Sequence, residues 1–150
     1  MRMDYKGLIL LSALAVAGII ISTFLIMGGV QSDSAQYAES GGADNIELLY
    51  FHRTDRCTSC NNAEQYARDT LNTYYPEEAG SGKISMQSID YQQNKEMADK
   101  YDVNMQGLKI KTTRNGQETV RDVPEVWAYV KDRDAYMNYL KGEIDRELGK

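Results

Sequence analysis

"IELLYFHRTDRCTSC", Ile46 to Cys60, runs from a short apolar and aromatic stretch into a C-x-x-C pair, and it holds both cysteines and the only histidine of the 150-residue chain. The run Ile46 to His52 lacks regular alternation, the pattern of a central strand covered on both faces. Beyond it, Ala63, Tyr66, Ala67, Leu71 and Tyr74 recur at steps of three and four before Pro76. That spacing predicts an amphipathic helix over Asn61 to Tyr75, with the cysteines in its N-terminal turn.

Outward from this point the pattern alternates. Glu77 to Gly82 reads as loop, Lys83 to Ile89 as a strand, and "DYQQNKEMADKYDV" as a helix through Met97, Ala98 and Tyr101. Gly107 to Thr113 and Gln117 to Val123 flank Asn115-Gly116, two residues that tolerate positive φ, which predicts an antiparallel hairpin. Pro124 then opens a helix whose apolar stripe runs through Val126, Trp127, Val130, Tyr136, Leu140, Ile144 and Leu148, with a bend expected near Asp132 to Asp134. The order β-α-β-α-β-β-α predicts an α/β domain over residues 45–148, a four-stranded mixed sheet with helices on both faces.

Gly7 to Val30 is a stretch without charge, ~36 Å long as a helix and so sufficient to cross a bilayer. It exceeds the apolar core of a cleaved secretory signal, and no A-x-A pattern follows, so an uncleaved transmembrane anchor over 7–30 is expected. Arg2 and Lys6 precede the span, whereas Asp33 and Glu39 follow it. Residues 1–6 are therefore expected in the cytoplasm and the domain outside the cell membrane, where disulfides form and persist. Residues 31–44, polar and rich in small side chains, read as a flexible linker. A net charge of −5 opposes nucleic-acid binding, leaving membrane lipid and protein as the expected partners.

The element order, with C-x-x-C at the end of the first strand, resembles the thioredoxin fold. "SIDYQQNKEMADKYDV" is similar to the strand and helix that follow the redox site in that family, and "LKIKTTRNGQE" to its hairpin. "YFHRTDRCTSC" and "VWAYVKDRDAYMNYLKGEI" further resemble the ArsF family of nitrophenyl-compound nitroreductase subunits, often membrane-tethered. That resemblance implies a part in nitro-group reduction. No G-x-G-x-x-G follows any strand to supply flavin or nicotinamide binding, so the chain would be an accessory subunit of a reductase complex with a structural disulfide. Two family features are absent. The proline that usually precedes the third strand, commonly cis, is replaced around Gln106 and Gly107, where glycine has the freedom for an unusual backbone conformation. The buried acid of the first strand aligns with Phe51.

Cys57 and Cys60, three apart on a helical turn, lie within reach of a mutual disulfide. The unpaired N–H groups at a helix N-terminus favour the thiolate of the first cysteine, and Arg53 and Arg56 lie nearby, opposed by Asp55. Cys57 is the expected nucleophile, Cys60 the resolving thiol and the disulfide itself the only redox group, with no bound cofactor. The expected function is that of a thiol-disulfide oxidoreductase acting on protein thiols or a membrane reductase partner. The alternatives to this favoured reading are an inert staple, or copper or zinc held by Cys57, Cys60 and His52 with one position open for a partner's ligand. His52 at a strand end is either a packing residue or a partner of Cys57, Arg53 and Arg56 are either electrostatic supports or a solvated loop, and Trp127 reads as core.

Overall fold

β1, Asn45–His52, is an inner strand of a four-stranded sheet in the computed structural model, which describes residues 41–150. The expected cytoplasmic N-terminus, the membrane span over 7–30 and most of the linker over 31–44 lie outside the described residues. No helix of the described residues is long and apolar enough to cross a membrane.

The elements follow the expected order. After β1 come α1 (Thr58–Tyr74), α2 (Pro76–Gly80), β2 (Ile84–Asp90), α3 (Lys95–Lys100), β3 (Gly107–Arg114), β4 (Gln117–Asp122), α4 (Val126–Tyr129) and α5 (Arg133–Leu148). β1 pairs parallel with β2 and antiparallel with β3, and β4 lies antiparallel outside β3, so the sheet order is β2-β1-β3-β4. Asn115 and Gly116 close the hairpin at φ values of 51° and 76°, the double positive φ that their identities predict.

Several expected boundaries move, each for a local reason. Pro76 does not lead into loop; it starts the single-turn helix α2, where its missing N–H costs nothing. α3 is shorter than its apolar pattern suggests, because the Asp90 and Asn94 side chains accept backbone N–H groups of residues 92, 93 and 97 and hold the preceding segment in turns. The C-terminal stripe is two helices rather than one bent one, since Asp132 caps α5 by accepting from the Ala135 N–H at 3.0 Å. The chain before β1 also joins the domain earlier than expected. Ala43 is buried and donates its N–H to the Glu147 carbonyl, and a side chain at Gly42 would collide with the Leu148 carbonyl.

Alternation along β1 divides the packing between the two sheet faces. Ile46, Leu48 and Tyr50 face the main core, where Ala63, Ala67 and Leu71 of α1 meet Tyr136, Leu140 and Ile144 of α5. Leu49 and Phe51 face the other way, against Ile89, Met97, Tyr101 and Val103. α3 covers only that end of the second face. The remainder is a ladder of ion pairs over a half-wet sheet, Lys109 with Asp122 and Lys111 with both Glu47 and Glu118.

α5 also buries two carboxylates against the hairpin. Glu147 accepts from Arg114 at 2.7 Å and Arg121 at 2.9 Å, and Arg121 reaches Glu143 at 2.8 Å. Burial by itself would raise the Glu147 carboxyl, but the hydrogen bonds from Arg121 and Arg114 outweigh it and the net shift is downward. A depressed folded pKa stabilises the domain above the unfolded value of ~4.3 and loses that stabilisation as pH falls through the folded value. Glu147→Gln is therefore expected to cost about 2 kcal/mol near neutrality, less than the ~3 to 5 kcal/mol of a fully buried pair because Arg121 keeps Glu143 and both arginines are partly exposed. The loss shrinks below about pH 4, as denaturant unfolding across pH will show.

Candidate functional site

The C-x-x-C pair sits where β1 ends and α1 begins, and it is closed as a disulfide with Cα atoms 5.0 Å apart. Cys57 is the N-cap of α1: its backbone is extended, and its Sγ accepts the Cys60 N–H at 3.1 Å. An N-cap is ordinarily an oxygen that satisfies one of the orphan N–H groups of the first turn, and here sulfur takes that place. No acidic side chain occupies the first turn of α1, so nothing there opposes the partial positive charge of the helix end. Cys57 is exposed, whereas Cys60 is 3% exposed beneath it. The two sulfurs thus have the unequal access that a nucleophile and a resolving thiol require.

Three side chains that the sequence reading passed over hold this turn in place. Tyr50, fully buried in the main core, donates its hydroxyl to the Cys60 carbonyl at 2.8 Å. Asp90, at the end of β2, accepts from Thr54 Oγ1 at 2.8 Å, and Gln92 Oε1 accepts the Thr54 N–H at 2.9 Å, so the loop before Cys57 is pinned to the turn after β2. The only signal for Asp90 was the Asx-type run "DYQQN"; Tyr50 carried no signal beyond its place in an apolar strand.

The expected supports divide. Arg56 does not reach out freely beside Cys57. It is paired with Glu64 of α1, which also takes Arg68, and its guanidinium lies 5.9 Å from the centre of the Tyr50 ring. Burial would raise the Glu64 carboxyl, but hydrogen bonds from Arg56, Arg68 and Ser88 hold it below the ordinary range. The positive charge of Arg56 is therefore largely neutralised locally, and the helix terminus, not this arginine, is the main device acting on Cys57. Arg53 is exposed and lines a shallow depression with Tyr91, Met105, Gln106 and Trp127.

His52 faces Asp90 across the parallel pair, and its Nδ1 lies 2.9 Å from the Arg53 carbonyl. A carbonyl only accepts, so Nδ1 carries the proton. The ring makes no hydrogen bond to either sulfur. Among the described residues no group of three or more His, Cys, Asp or Glu side chains is placed to hold a metal ion, and the two candidate thiolates are bonded to each other. The copper or zinc reading through Cys57, Cys60 and His52 finds no arrangement to support it.

Gly107 does not use its conformational freedom. Among the described residues there is no cis peptide bond, and Gly107 has no positive φ; it is the first residue of β3, paired with Phe51, with open space where a side chain would be. Phe51 is 1% exposed and packs against Tyr101 with ring centres 5.9 Å apart, an apolar occupant where the family's acid would stand. Gln106 is the residue that reaches the site, its Oε1 3.5 Å from Cys60 Sγ. Trp127, read as core, is only partly buried. It lines both the depression beside Arg53 and an adjoining apolar pocket of about 290 Å³, walled also by Phe51, Gln106, Gly107, Leu108 and Pro124.

A sheet ordered β2-β1-β3-β4, with one parallel and two antiparallel pairs and a C-x-x-C disulfide at the start of the helix after β1, is the arrangement that the sequence resemblance implied. This chain has a thioredoxin-like fold. Among solved structures, full-length ERdj5 is similar with a TM-score of 0.51 at 12% identity, covering 75% of this chain and 14% of that one. The chain thus spans only a small part of that protein. A thioredoxin of Fasciola hepatica (TM-score 0.45, 18% identity, 70% of this chain and 83% of that one) and the protein Trxlp of Edwardsiella tarda (0.45, 16%, 71% and 92%) are also similar. No protein-family model matches the sequence, and neither does any curated protein sequence.

Proposed function

We propose that this domain is a thiol-disulfide oxidoreductase that exchanges electrons with protein thiols through Cys57 and Cys60. The observation that carries the reading is the exposed Cys57 sulfur acting as N-cap of a seventeen-residue helix, with the buried Cys60 bonded to it. An inert staple has no use for one sulfur at the surface and at the positive end of a helix. In the reducing direction the Cys57 thiolate attacks a partner disulfide, forming a Cys57-partner bond while the other partner sulfur leaves as thiolate with the bonding electrons. Cys60 then loses its proton to water and attacks Cys57 Sγ. The Cys57-Cys60 bond forms, the partner's second thiolate is expelled, and the partner has gained the two electrons that the dithiol lost. The reverse sequence oxidises a partner dithiol.

The depression at Trp127, Met105 and Gln106, which Gln106 joins to the Cys60 sulfur, is where an extended partner segment would lie. In this proposal residues 7–30 anchor the chain in the cell membrane and hold the domain on its outer side, within reach of membrane or secreted partners. The resemblance to the ArsF family suggests one such partner, a membrane reductase complex. Trapping tests the reading: with a disulfide-bonded model peptide, reduced Cys60→Ser should accumulate a stable mixed disulfide on Cys57. A variant that forms none under these conditions would remove the reading.

A further inference from the structure

Two hydrogen-bonding groups approach the sulfurs among the described residues: the Cys60 N–H on Cys57 Sγ, and Gln106 Oε1 at 3.5 Å from Cys60 Sγ. No carboxylate, imidazole or amine is among them. Gln106 is set by the sheet, since it directly precedes Gly107, whose backbone is in register with Phe51 of β1. It also lines both the depression beside Arg53 and the adjoining apolar pocket. A neutral amide therefore stands at the buried sulfur, whose proton has to leave in the resolving step.

We infer that Gln106 is the positioning residue for the resolving thiol, holding Cys60 in both of its protonation states without itself titrating; the inference rests on the oxidoreductase reading. In the disulfide, Cys60 Sγ has no proton and the 3.5 Å approach is a contact. On reduction the Cys60 S–H gains a ready acceptor in Oε1. When Cys60 ionises, a half-turn of the amide, which changes its shape hardly at all, presents Nε2–H to the thiolate instead. The bond to the charged form is the stronger of the two, so the amide lowers the cost of ionising a sulfur that is 3% exposed. A carboxylate at this place could take the proton, but while ionised it would disfavour a thiolate beside it. Gln106 takes no proton: the Cys60 proton passes to water as its sulfur attacks Cys57 Sγ and the partner thiolate leaves.

The consequence is a resolution step whose pH dependence follows the Cys60 thiol alone. The reduced full chain is treated with dithiobis(nitrobenzoate), which loads thionitrobenzoate on Cys57 and releases a second equivalent as Cys60 closes the disulfide; the rate of that second release is followed against pH. The wild-type rate should rise through a single ionisation with no inflection in the carboxylate range. Gln106→Ala should move that ionisation upward and slow release near neutrality about fivefold. Gln106→Glu should add a second, more acidic inflection. Variant profiles that superimpose on wild type would overturn the inference while leaving the oxidoreductase reading intact, and so would a carboxylate-range inflection in the wild type, which needs no variant to fold. Failure of reduced Cys57 to react with the reagent at all would overturn both.

Discussion

Cys57→Ser is expected to abolish thiol-disulfide exchange, whereas Cys60→Ser is expected to permit the first step and stop there. The difference follows from access. Cys57 Sγ is exposed and accepts the Cys60 N–H at the end of α1, so it is the sulfur that a partner disulfide meets and the one whose negative charge the helix favours. Serine in its place caps the helix as well as sulfur does, and the fold is retained. Oxygen at this position has no thiolate to attack with, so exchange falls to the uncatalysed rate. Cys60 lies under the turn, and its loss leaves the Cys57-partner bond with no neighbouring sulfur to displace it. Mass analysis after mixing each variant with a disulfide-bonded peptide separates the cases: no adduct with Cys57→Ser, a persistent adduct with Cys60→Ser, and oxidised protein with free peptide thiols for the wild type.

Tyr50→Ala is expected to produce the largest loss of stability of any single change at the site. The ring is fully buried between the sheet and α1, and its removal leaves a cavity in the main core. Large-to-small changes of this kind cost about 3 to 5 kcal/mol, a large share of the ~5 to 15 kcal/mol that stabilises a typical domain. Tyr50→Phe keeps the ring and removes only the hydroxyl that donates to the Cys60 carbonyl, at an expected cost of about 1 kcal/mol. Denaturant unfolding of the two variants, oxidised and reduced, separates packing from the hydrogen bond. Equal losses for Ala and Phe would mean that the hydroxyl, and not the ring, holds the turn.

The parts of this site that could be read in the sequence are those encoded locally. Ile46 to His52, the three-and-four spacing after Cys60, and Asn115-Gly116 each carry their signal within a few residues, and the structure has a strand, a helix and a turn at those places. What escaped was set by distance along the chain. Gln106 was placed at the site only through the family resemblance; its contact with Cys60 spans 46 residues, and nothing in "MQGLKI" by itself announces a contact with sulfur. Glu143 and Glu147 look like solvent positions on α5 until the hairpin brings Arg114 and Arg121 against them. Arg56 was legible as a charge beside Cys57, but its pairing with Glu64, one helical turn past Cys60, neutralises most of that charge. Gly107 was read as a substitute for a special backbone shape, yet its φ is ordinary because β3 simply begins there.

The claim beneath all of this is that Cys57 ionises more readily than a free thiol because it caps α1. Titrating the single thiol of the full-length Cys60→Ser chain, followed by the ultraviolet absorbance of the thiolate, tests it most directly. One hydrogen bond and the helix end, together worth roughly 1 to 2 kcal/mol, should bring the midpoint about one unit below the free-thiol value of ~8.5. A midpoint at or above that value would contradict an activated Cys57 and leave the disulfide as a staple.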